Sequence, residues 1–590
     1  MRTSRSVVIG VDSSTQSTKA VAVDSGTGEL LAVARAPHTV TGTGGARESD
    51  PEEWWTALVT AVRAAVRDAG VPPASVTGIA VAGQQHGLVT LGADGRPLRP
   101  ALLWNDTRSA PQAAALAESL GGPESWLERT GSVPVASMTA AKWQWLREHE
   151  PAHAAATTGV RLPHDYLTER LTGHAVTDPG DASGTCWYGG GGGGGTGGVD
   201  VTGGVDVTAG ADGTAGADGS TGAQESQGVN ETPGVDETTE VDETTEVDET
   251  TDGNRAPDGY PAPDTNRELD ASRAPGDAQA PDATQAPGNA YDPTILNLLG
   301  LDEALLPTVA PTGATRVGTL TAAAAEALGL PRTVAVAAGT GDNMAAAVGL
   351  GLGGAGLLDH PVVSLGTSGT VFAATRTRSD RPGLAGFAGT DGTYLPLGCT
   401  LNCTLAVDRF ATLLGLDRED VAPGGADGVV VLPYLDGERT PDLPHAAGLV
   451  TGLRHTTDPR AILGAAYEGA AFTVLRALDE LLAACGLDPT DSAVRDRPLR
   501  LIGGGARGRA WTDTVRRLSG RPLVVPAAEE LVALGAAALA AGAVTGEDPV
   551  ALATAWGTGE GEALPPLARD TETWDRIAGV LTAASPALLR

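Results

Sequence analysis

The feature that most constrains the fold is a strand–turn–strand pattern at the start of the chain. Apolar runs at 7–9 and 20–23 flank a polar segment, 10–19, that carries Asp12 and several hydroxyl groups. Short apolar runs on either side of a polar turn predict a β-hairpin. Hydroxyls and free backbone N–H groups suit phosphate oxygens, and a neighbouring carboxylate suits Mg²⁺. From this motif alone, an ordinary hairpin turn is an equal alternative.

A second segment of the same form lies in the other half of the chain. Residues 362–372 again place a turn of small and hydroxyl residues, around Gly366, Thr367 and Ser368, between two apolar runs. Each hairpin by itself is a weak signal. Two of them, one in each half, predict a duplicated nucleotide-binding fold of the α/β class.

Strands and helices alternate around these hairpins, and polar residues follow the strands. A helix is predicted over 51–68, where apolar residues recur at helical spacing. Ligands of α/β folds bind where strands end. The predicted strands with such endings are 76–81 before Gln85 and His86, 100–104 before Asn105 and Asp106, 333–338 before Asp342, and 498–502 before Gly504, Gly505 and Arg507.

Residues 189–290 interrupt this pattern with a low-complexity segment. It begins with a run of glycines, repeats Val-Asp-Glu-Thr-Thr-Glu, and carries 21 acidic residues against three arginines. Its apolar content is too low to offset the entropy of ordering, which predicts a disordered acidic insert. We interpret it as an insertion in a surface loop, with an internal interaction tail as the alternative. Its flanks, 186–188 and 291–293, are then expected to lie close together.

The formal net charge of −33 and the few cysteines limit the class of protein. Strong acidity argues against binding to nucleic acid or to an anionic membrane. The sequence shows no signal-peptide pattern and no uninterrupted apolar run of membrane-spanning length, because charges break the Gly- and Ala-rich segments. Four cysteines in 590 residues favour reduced thiols in a cytoplasmic protein. No Gly-Lys-Ser/Thr P-loop is found, and Lys19 and Lys142 are the only lysines.

Taken in order, the motifs at these turns resemble those of the FGGY carbohydrate kinases. The resemblance runs from residue 7 to about residue 545 and leaves out only the insert. Its motifs are Gly10-Val11-Asp12-Ser13-Ser14-Thr15, Ala82-Gly83-Gln84-Gln85-His86-Gly87, Leu103-Trp104-Asn105-Asp106, Asp165-Tyr166-Leu167, Gly341-Asp342-Asn343, Ser364-Leu365-Gly366-Thr367-Ser368-Gly369, 432–441 (Leu-Pro-Tyr-Leu-Asp-Gly-Glu-Arg-Thr-Pro) and Ile502-Gly503-Gly504-Gly505-Ala506-Arg507.

The resemblance implies two actin-like (ribonuclease H-like) domains that flank a deep cleft. Residues 1–348, with the insert 189–290, would form the sugar-binding domain, and residues 349–590 the ATP-binding domain. The implied cofactors are ATP and Mg²⁺. The implied partners are a small sugar and ATP, without nucleic acid or membrane, and a homodimer is the assembly considered.

The resemblance also assigns roles at the motif positions. Asp342 would be the general base that accepts the proton of the sugar hydroxyl, and Asp12 would hold Mg²⁺. From the pattern alone, Asp342 as a helix cap and His86 as a structural histidine are the alternatives. The sugar would contact Gln85, His86, Trp104, Asn105, Asp106 and Asp342, and ATP would contact Asp12, Ser13, Ser14, Thr15, Gly366, Thr367, Ser368, Gly504, Gly505 and Arg507.

Three positions depart from the family pattern, and they leave the substrate open. Ser13-Ser14 stands where a glycine often follows the first aspartate. Gln85 stands where methionine is common in members that act on xylulose, and His164 where lysine is frequent. The implied reaction is phosphorylation of D-xylulose to D-xylulose 5-phosphate. Ribulose, gluconate or glycerol as the acceptor is one alternative, and a catalytically silent sugar-binding regulator is another.

Overall fold

The computed structural model describes residues 5–189, 290–354, 356–379, 381–390, 392–422, 425–441, 443 and 445–584. Its strands, in chain order, are β1 Val7–Ser13, β2 Ser17–Asp24, β3 Leu30–Pro37, β4 Glu48–Ser49, β5 Val76–Gly83, β6 Val89–Leu91, β7 Ala101–Leu102, β8 Gly159–Arg161, β9 Val176–Thr177, β10 Thr308–Val309, β11 Arg316–Thr319, β12 Ala335–Ala337, β13 Thr340–Gly341, β14 Val362–Leu365, β15 Gly369–Phe372, β16 Ala385–Ala388, β17 Tyr394–Thr400, β18 Val430–Leu432, β19 Leu449–Thr451, β20 Leu499–Ile502, β21 Leu523–Pro526 and β22 Gly561–Leu564.

The α-helices of the same residues are α1 Pro51–Asp68, α2 Ala110–Glu118, α3 Pro123–Thr130, α4 Thr139–His149, α5 Pro151–Ala156, α6 Pro163–Thr172, α7 Pro179–Ser183, α8 Pro293–Leu299, α9 Ala322–Leu328, α10 Asp342–Gly349, α11 Thr404–Leu414, α12 Pro459–Ala484, α13 Ser492–Arg495, α14 Arg509–Ser519, α15 Leu531–Thr545, α16 Pro549–Ala555 and α17 Thr571–Ala583. Short 3₁₀ turns occupy Pro73–Ser75, Ser119–Gly121, Glu303–Leu305 and Gly504–Arg507.

The first large sheet has the strand order β11-β12-β5-β1-β2-β3. Strands β1, β2 and β3 form an antiparallel meander, β5 pairs in parallel with β1, and β12 pairs in parallel with β5. The short strand β13 also pairs in parallel with β5, with Gly341 opposite Gly83. The ends of β1, β5 and β13 therefore meet at one edge of the sheet.

The second large sheet repeats this arrangement. Its order is β16-β17-β15-β14-β20-β21-β22. Strands β14, β15 and β17 are antiparallel, while β20 and β21 continue in parallel from β14. In each sheet, the last strand beyond the parallel pair is antiparallel to its neighbour. The predictions of two hairpins and of a duplicated α/β fold are confirmed.

Helix α1 covers one face of the first sheet. Asp50 caps it by accepting a hydrogen bond from the backbone N–H of Glu52 at 2.9 Å, and a proline occupies its first position. Trp54, Leu58 and Val62 then recur at helical spacing and are fully buried. The helix predicted over 51–68 has the same bounds in the structure.

Helix α15 covers the other face of that sheet, although it comes from the far end of the chain. Its alanine-rich surface shares a core with Val8, Val21 and Val23. The contact is so close that a Cβ on Gly10 would lie only 1.9 Å from the backbone oxygen of Ala533. The small residues of α15 therefore let the helix lie almost directly on the strand backbone.

The long helix α12 forms the centre of the second half. By length and composition alone it could cross a membrane, and the bent pair α15 and α16 passes the same test. However, 89% of the apolar 18-residue stretch of α12 is buried inside the protein. It packs with strands and helices of the second half, including α14, whose apolar residues Trp511, Val515 and Leu518 are buried. The apolar character of α12 is therefore that of a core helix.

The predicted insert lies outside the described residues, but both of its flanks are described. Tyr188 and Tyr291 form an antiparallel bridge, and the N–H of Gly189 donates to the oxygen of Ala290 at 2.9 Å. Arg129 also pairs with Asp292 at 2.9 Å. The prediction that the two flanks lie close together is confirmed.

Candidate active site

Four of the predicted residues come together at the edge of the first sheet. Ser13, at the end of β1, lies opposite Gly83 of β5, so Asp12 is close to the segment that carries Gln85 and His86. Strand β13 pairs with the same end of β5 and leads directly into Asp342. Carboxyl ends of parallel strands are where α/β folds place ligands, and here they collect two carboxylates, an amide and an imidazole.

Asp12 is buried within the first hairpin, with 2% of its surface exposed. Its Oδ1 accepts a hydrogen bond from Ser14 Oγ at 2.6 Å, and its Oδ2 lies 3.7 Å from Lys19 Nζ. Burial raises the pKa of Asp12, and Ser14 and Lys19 act in the opposite direction. The hydroxyl of Ser13 lies inside the hairpin, 3.2 Å from that of Thr18.

Asp342 is the first residue of α10, and the helix cap is Gly341. The prediction placed Asp342 in a turn, but the short strand β13 leads straight into the helix. Its Oδ1 accepts from the backbone N–H of Asn343 at 2.8 Å and from Asn343 Nδ2 at 3.2 Å. Burial, together with the nearby carboxylates of Asp12 and Asp181, raises the pKa of Asp342 to about 8. Loss of solvation and like charges both disfavour the ionised carboxylate.

Gln85 lies beside Asp342, and His86 is the next residue in the chain. Gln85 Oε1 accepts from Asn343 Nδ2 at 2.8 Å. His86 has a left-handed backbone, with φ of 65°, and its Nδ1 lies 2.8 Å from the oxygen of Gly184. Burial and the nearby charges of Lys142 and Arg439 lower the pKa of His86 to about 3. The ring is therefore neutral, with its proton on Nδ1, and Nε2 is left as a hydrogen-bond acceptor.

The segment 104–106 borders the same edge. Trp104 Nε1 donates to Thr15 Oγ1 at 3.0 Å, which links the predicted sugar residues to the first hairpin. The buried Oδ1 of Asn105 has no partner among the described residues. Both oxygens of Asp106 are engaged by protein groups: Arg108 Nη2 at 2.7 Å and the backbone N–H of Arg47 at 2.8 Å both bond Oδ2, and the N–H of Arg108 bonds Oδ1 at 3.0 Å.

The glycine-containing turns of the second half meet at the edge of the second sheet. The turn Gly366-Thr367-Ser368 follows β14, and its carbonyls are held by the start of α11: Thr404 N donates to Gly366 O at 3.0 Å and Cys403 N to Thr367 O at 3.2 Å. Strand β20 is parallel to β14 and ends at the 3₁₀ turn Gly504–Arg507.

Close packing explains the glycines of this second turn. Gly503 has a φ of 86°, and a Cβ there would lie 2.7 Å from the oxygen of Leu365. A Cβ on Gly505 would lie 2.8 Å from Leu365 Cβ, whereas Gly504 faces open space. The turn therefore packs against the end of β14 on one side and leaves room for a ligand on the other.

Two adjacent glutamates connect the predicted nucleotide elements of the two halves, and sequence reasoning missed them. Glu530, which precedes α15, accepts from Lys19 Nζ at 2.7 Å. Glu529 pairs with Arg507 of the glycine turn. The rarity of lysine was the only available signal, because nothing in the spacing connects Lys19 to a glutamate near the end of the chain.

The comparisons with known proteins agree with this geometry. The family model for the N-terminal domain of FGGY carbohydrate kinases matches residues 7–189 and 284–349, and the model for the C-terminal domain matches residues 362–544. The chain belongs to the FGGY family of carbohydrate kinases, so it is an ATP-dependent sugar kinase.

Several relatives extend over nearly the whole chain. A protein named xylulose kinase from Streptomyces rubiginosus is 47% identical over 99% of this chain and 98% of its own length. The xylulose kinase of Escherichia coli is 28% identical over 90% of this chain and 89% of its own. A solved structure, that of xylulose kinase from Bifidobacterium adolescentis, superposes with a TM-score of 0.68. The match covers 98% of this chain and 99% of the other chain, and the two sequences are 27% identical.

Proposed function

We propose that this protein transfers the γ-phosphoryl group of ATP to D-xylulose and forms D-xylulose 5-phosphate. The choice of xylulose is carried by the 47% identity, over 99% of the chain, to a relative named xylulose kinase. The meeting of Asp12, Gln85, His86 and Asp342 at one sheet edge supports phosphoryl transfer to a polyhydroxylated acceptor. Phosphoryl transfer needs mainly positioning and charge stabilisation, and these side chains would supply the positioning of the acceptor and a proton acceptor.

In this proposal Asp342 is the general base. Its carboxylate accepts the proton of the attacking sugar hydroxyl as the new O–P bond forms. A pKa of about 8, produced by burial and neighbouring carboxylates, lies near physiological pH, where a base is most effective. The two hydrogen bonds from Asn343 hold Oδ1 in place and leave Oδ2 to receive the proton.

The sugar is held by Gln85, His86 and the segment 104–106. Neutral His86 offers Nε2 as an acceptor for one hydroxyl, and the unpartnered Asn105 Oδ1 can accept another. Trp104 supplies a flat apolar face for C–H groups of the sugar. Asp106, whose oxygens already bind Arg108 and Arg47, contributes to this site by holding those neighbours in place as well as by direct contact.

ATP would lie between the two hairpins and the glycine turn. The residues that would contact it are Asp12, Ser13, Ser14, Thr15, Gly366, Thr367, Ser368, Gly504, Gly505 and Arg507. The open space at Gly504 fits a nucleotide that lies against the turn backbone. In this arrangement, 1–348 is the sugar-binding domain and 349–590 the ATP-binding domain.

Asp12 is the proposed Mg²⁺ residue. Mg²⁺ keeps several water ligands and is usually held by one or two carboxylates together with substrate phosphates. The single buried carboxylate of Asp12 fits this mode, and the described residues contain no cluster of three or more potential metal ligands. When bound, Mg²⁺ supplies positive charge to the phosphate groups.

The free state of the four cysteines supports the proposed cytoplasmic location, since reduced thiols are typical of that compartment.

The test is an ADP-release assay with D-xylulose, D-ribulose, gluconate and glycerol as acceptors. We expect the highest kcat/KM for D-xylulose and loss of turnover in Asp342→Asn. A higher kcat/KM for another acceptor would show that D-xylulose is not the preferred substrate, while the reaction would still be phosphoryl transfer from ATP. Binding of sugar without ADP release, in the presence of ATP and Mg²⁺, would favour a silent sugar-binding regulator.

A further inference from the structure

A buried cluster of charged side chains lies directly behind the sugar-site edge. His164, at the start of α6, is fully buried, and Asp165, Asp178 and Asp181 are at most 1% exposed. His164 Nδ1 lies 2.6 Å from Asp181 Oδ2, and its Nε2 lies 3.2 Å from Asp165 Oδ1. Charged groups are rarely buried this completely unless they are paired, because their loss of hydration is costly.

Two of the three carboxylates have clear structural partners. Asp165 Oδ2 accepts from the backbone N–H of Leu162 at 2.8 Å and so helps to cap α6. Asp178 caps α7 and also accepts from Thr340 Oγ1 at 2.8 Å. Asp181 caps no helix: its Oδ2 is held by His164, and its buried Oδ1, like that of Asp165, has no hydrogen-bond partner among the described residues.

The unpartnered oxygen of Asp181 faces the amide of Gln85 across Gly341. A Cβ on Gly341 would lie 3.1 Å from Asp181 Oδ1 and 2.7 Å from Gln85 Cγ, so both side chains converge there. Gln85 Nε2 is also buried without a partner, while its Oε1 is held by Asn343. A donor without an acceptor and an acceptor without a donor thus meet beside Asp342.

The electrostatics agree with this pairing. Burial raises the pKa of Asp181 well above its ordinary value, and the Gln85 amide acts to lower it. A side-chain amide lowers the pKa of a carboxyl group when it donates to the ionised form. The amide of Gln85 therefore favours the charged state of Asp181.

We propose that Asp181, oriented by His164, is a positioning residue of the sugar site that fixes the amide of Gln85. With Oε1 held by Asn343 and one Nε2–H directed to Asp181, the second Nε2–H of Gln85 remains for an oxygen of the sugar. Gln85 and His164, two of the departures from the family pattern, lie on either side of Asp181. The inference rests on the proposed contact between Gln85 and the sugar.

The experiment is a double-mutant cycle on the full chain with Asp181→Asn, Gln85→Met and the double variant. Asp181→Asn keeps the size of the side chain but leaves a single acceptor oxygen for two neighbours, the Gln85 amide and His164 Nδ1. We expect its KM for D-xylulose to rise at least ~10-fold, with the KM for ATP changed less than ~2-fold. In the Gln85→Met background the same substitution should change the sugar KM by less than ~2-fold, because its target is absent.

Glu468→Gln is the matched control. Glu468 is 2% exposed and pairs with Arg517 at 2.6 Å in the second half of the protein. It should lose stability without a change in sugar KM. If Asp181→Asn does not fold, His164→Leu, which removes the donor to Asp181, serves with the same readouts, and His164→Lys should keep the sugar KM near that of wild type by supplying a donor to Asp181.

Additive effects in the cycle, or equal changes in both KM values, would overturn the inference and make the cluster purely structural. Failure of the proposed function is distinguishable, because wild-type protein would then show no turnover with D-xylulose. In that case sugar binding by Gln85→Met and Asp181→Asn is compared by calorimetry, with the same expectation of non-additivity.

Discussion

The exchange of a single oxygen for nitrogen at Asp342 tests the proposed base. Asn keeps the size of the side chain and can accept the hydrogen bonds from Asn343, but it cannot take up a proton. We expect Asp342→Asn to lower kcat by ~100-fold or more while the Kd for ATP is retained. Steady-state kinetics and calorimetry measure the two quantities. Turnover near the wild-type rate would remove Asp342 from this role.

His86 and Asp106 are expected to act on the sugar rather than on ATP. His86→Ala removes an acceptor for a sugar hydroxyl, and Asp106→Ala releases Arg108 and the backbone of Arg47 at the border of the site. Each should raise the sugar KM by at least ~10-fold, because a sugar hydroxyl loses its acceptor in the first variant and the groups that border the sugar lose theirs in the second. The KM for ATP should change much less. If both KM values change together, the residue supports the fold instead.

Lys142 predicts a characteristic dependence of stability on pH. It is fully buried, bonds backbone carbonyls of residues 136 and 137, and burial lowers its pKa to about 7. Between pH 7 and about pH 10.5 the unfolded lysine holds a proton that the folded one has lost, so stability contributed by this site rises with pH. The free energy of unfolding of wild type should therefore increase relative to Lys142→Met from pH 7 to pH 9.5. Urea unfolding at the two pH values measures the difference, and a constant difference would contradict the shift.

Individual site residues were predictable where local sequence places them at a strand end. Asp12, Gln85 and Asp342 each follow an apolar run, and the parallel pairing of β1, β5 and β13 then brings them together. The pairings of Asp181 with His164 and of Glu530 with Lys19 were not predictable, because they join distant segments through tertiary packing. Their spacing along the chain carries no periodic signal.

At the scale of elements, the crossing of α10 and α15 depends on glycine. A Cβ on Gly535 would lie 1.8 Å from the backbone oxygen of Ala345, so Gly535→Ala forces the two helices apart. We expect a lower melting temperature and reduced kcat, because α10 begins with Asp342. Gly579→Ala in α17 is the control: a Cβ there meets nothing within 4 Å, and the substitution should be neutral or stabilising by up to about 1 kcal/mol. Equal effects of both variants in thermal melts would contradict the close crossing.

Element boundaries followed the sequence pattern best where apolar periodicity was long. Helix α1 has the predicted bounds, whereas the predicted strand 100–104 is reduced to Ala101–Leu102 and 333–338 to Ala335–Ala337. A short apolar run indicates that its residues are buried, but it does not determine how many of them form β-sheet hydrogen bonds with a neighbouring strand. The position of α15 was also beyond prediction, since an apolar helix of small residues fits against either sheet.

For the whole molecule, the flanks of the acidic segment give a direct prediction. Because Gly189 and Ala290 are hydrogen-bonded at 2.9 Å, a short Gly/Ser linker in place of 190–289 can close the chain without moving either side. Loop length changes closure entropy only slowly, so we expect sugar kinase activity within ~2 to 3-fold of wild type and a nearly unchanged melting temperature. Kinetics and calorimetry on the deletion variant measure both. A variant that fails to fold would show that the segment is structural.

The placement of α15 on the first sheet also has a consequence for biosynthesis. Strands β1 and β5 leave the ribosome early, but the apolar face that includes Val8 and Val21 packs against α15, a helix made near the end of the chain. A nascent chain that stops before residue 531 therefore exposes this face, however complete its first sheet is. Such exposed surface promotes aggregation, so this protein depends on translation running to completion more than one whose first domain closes on itself.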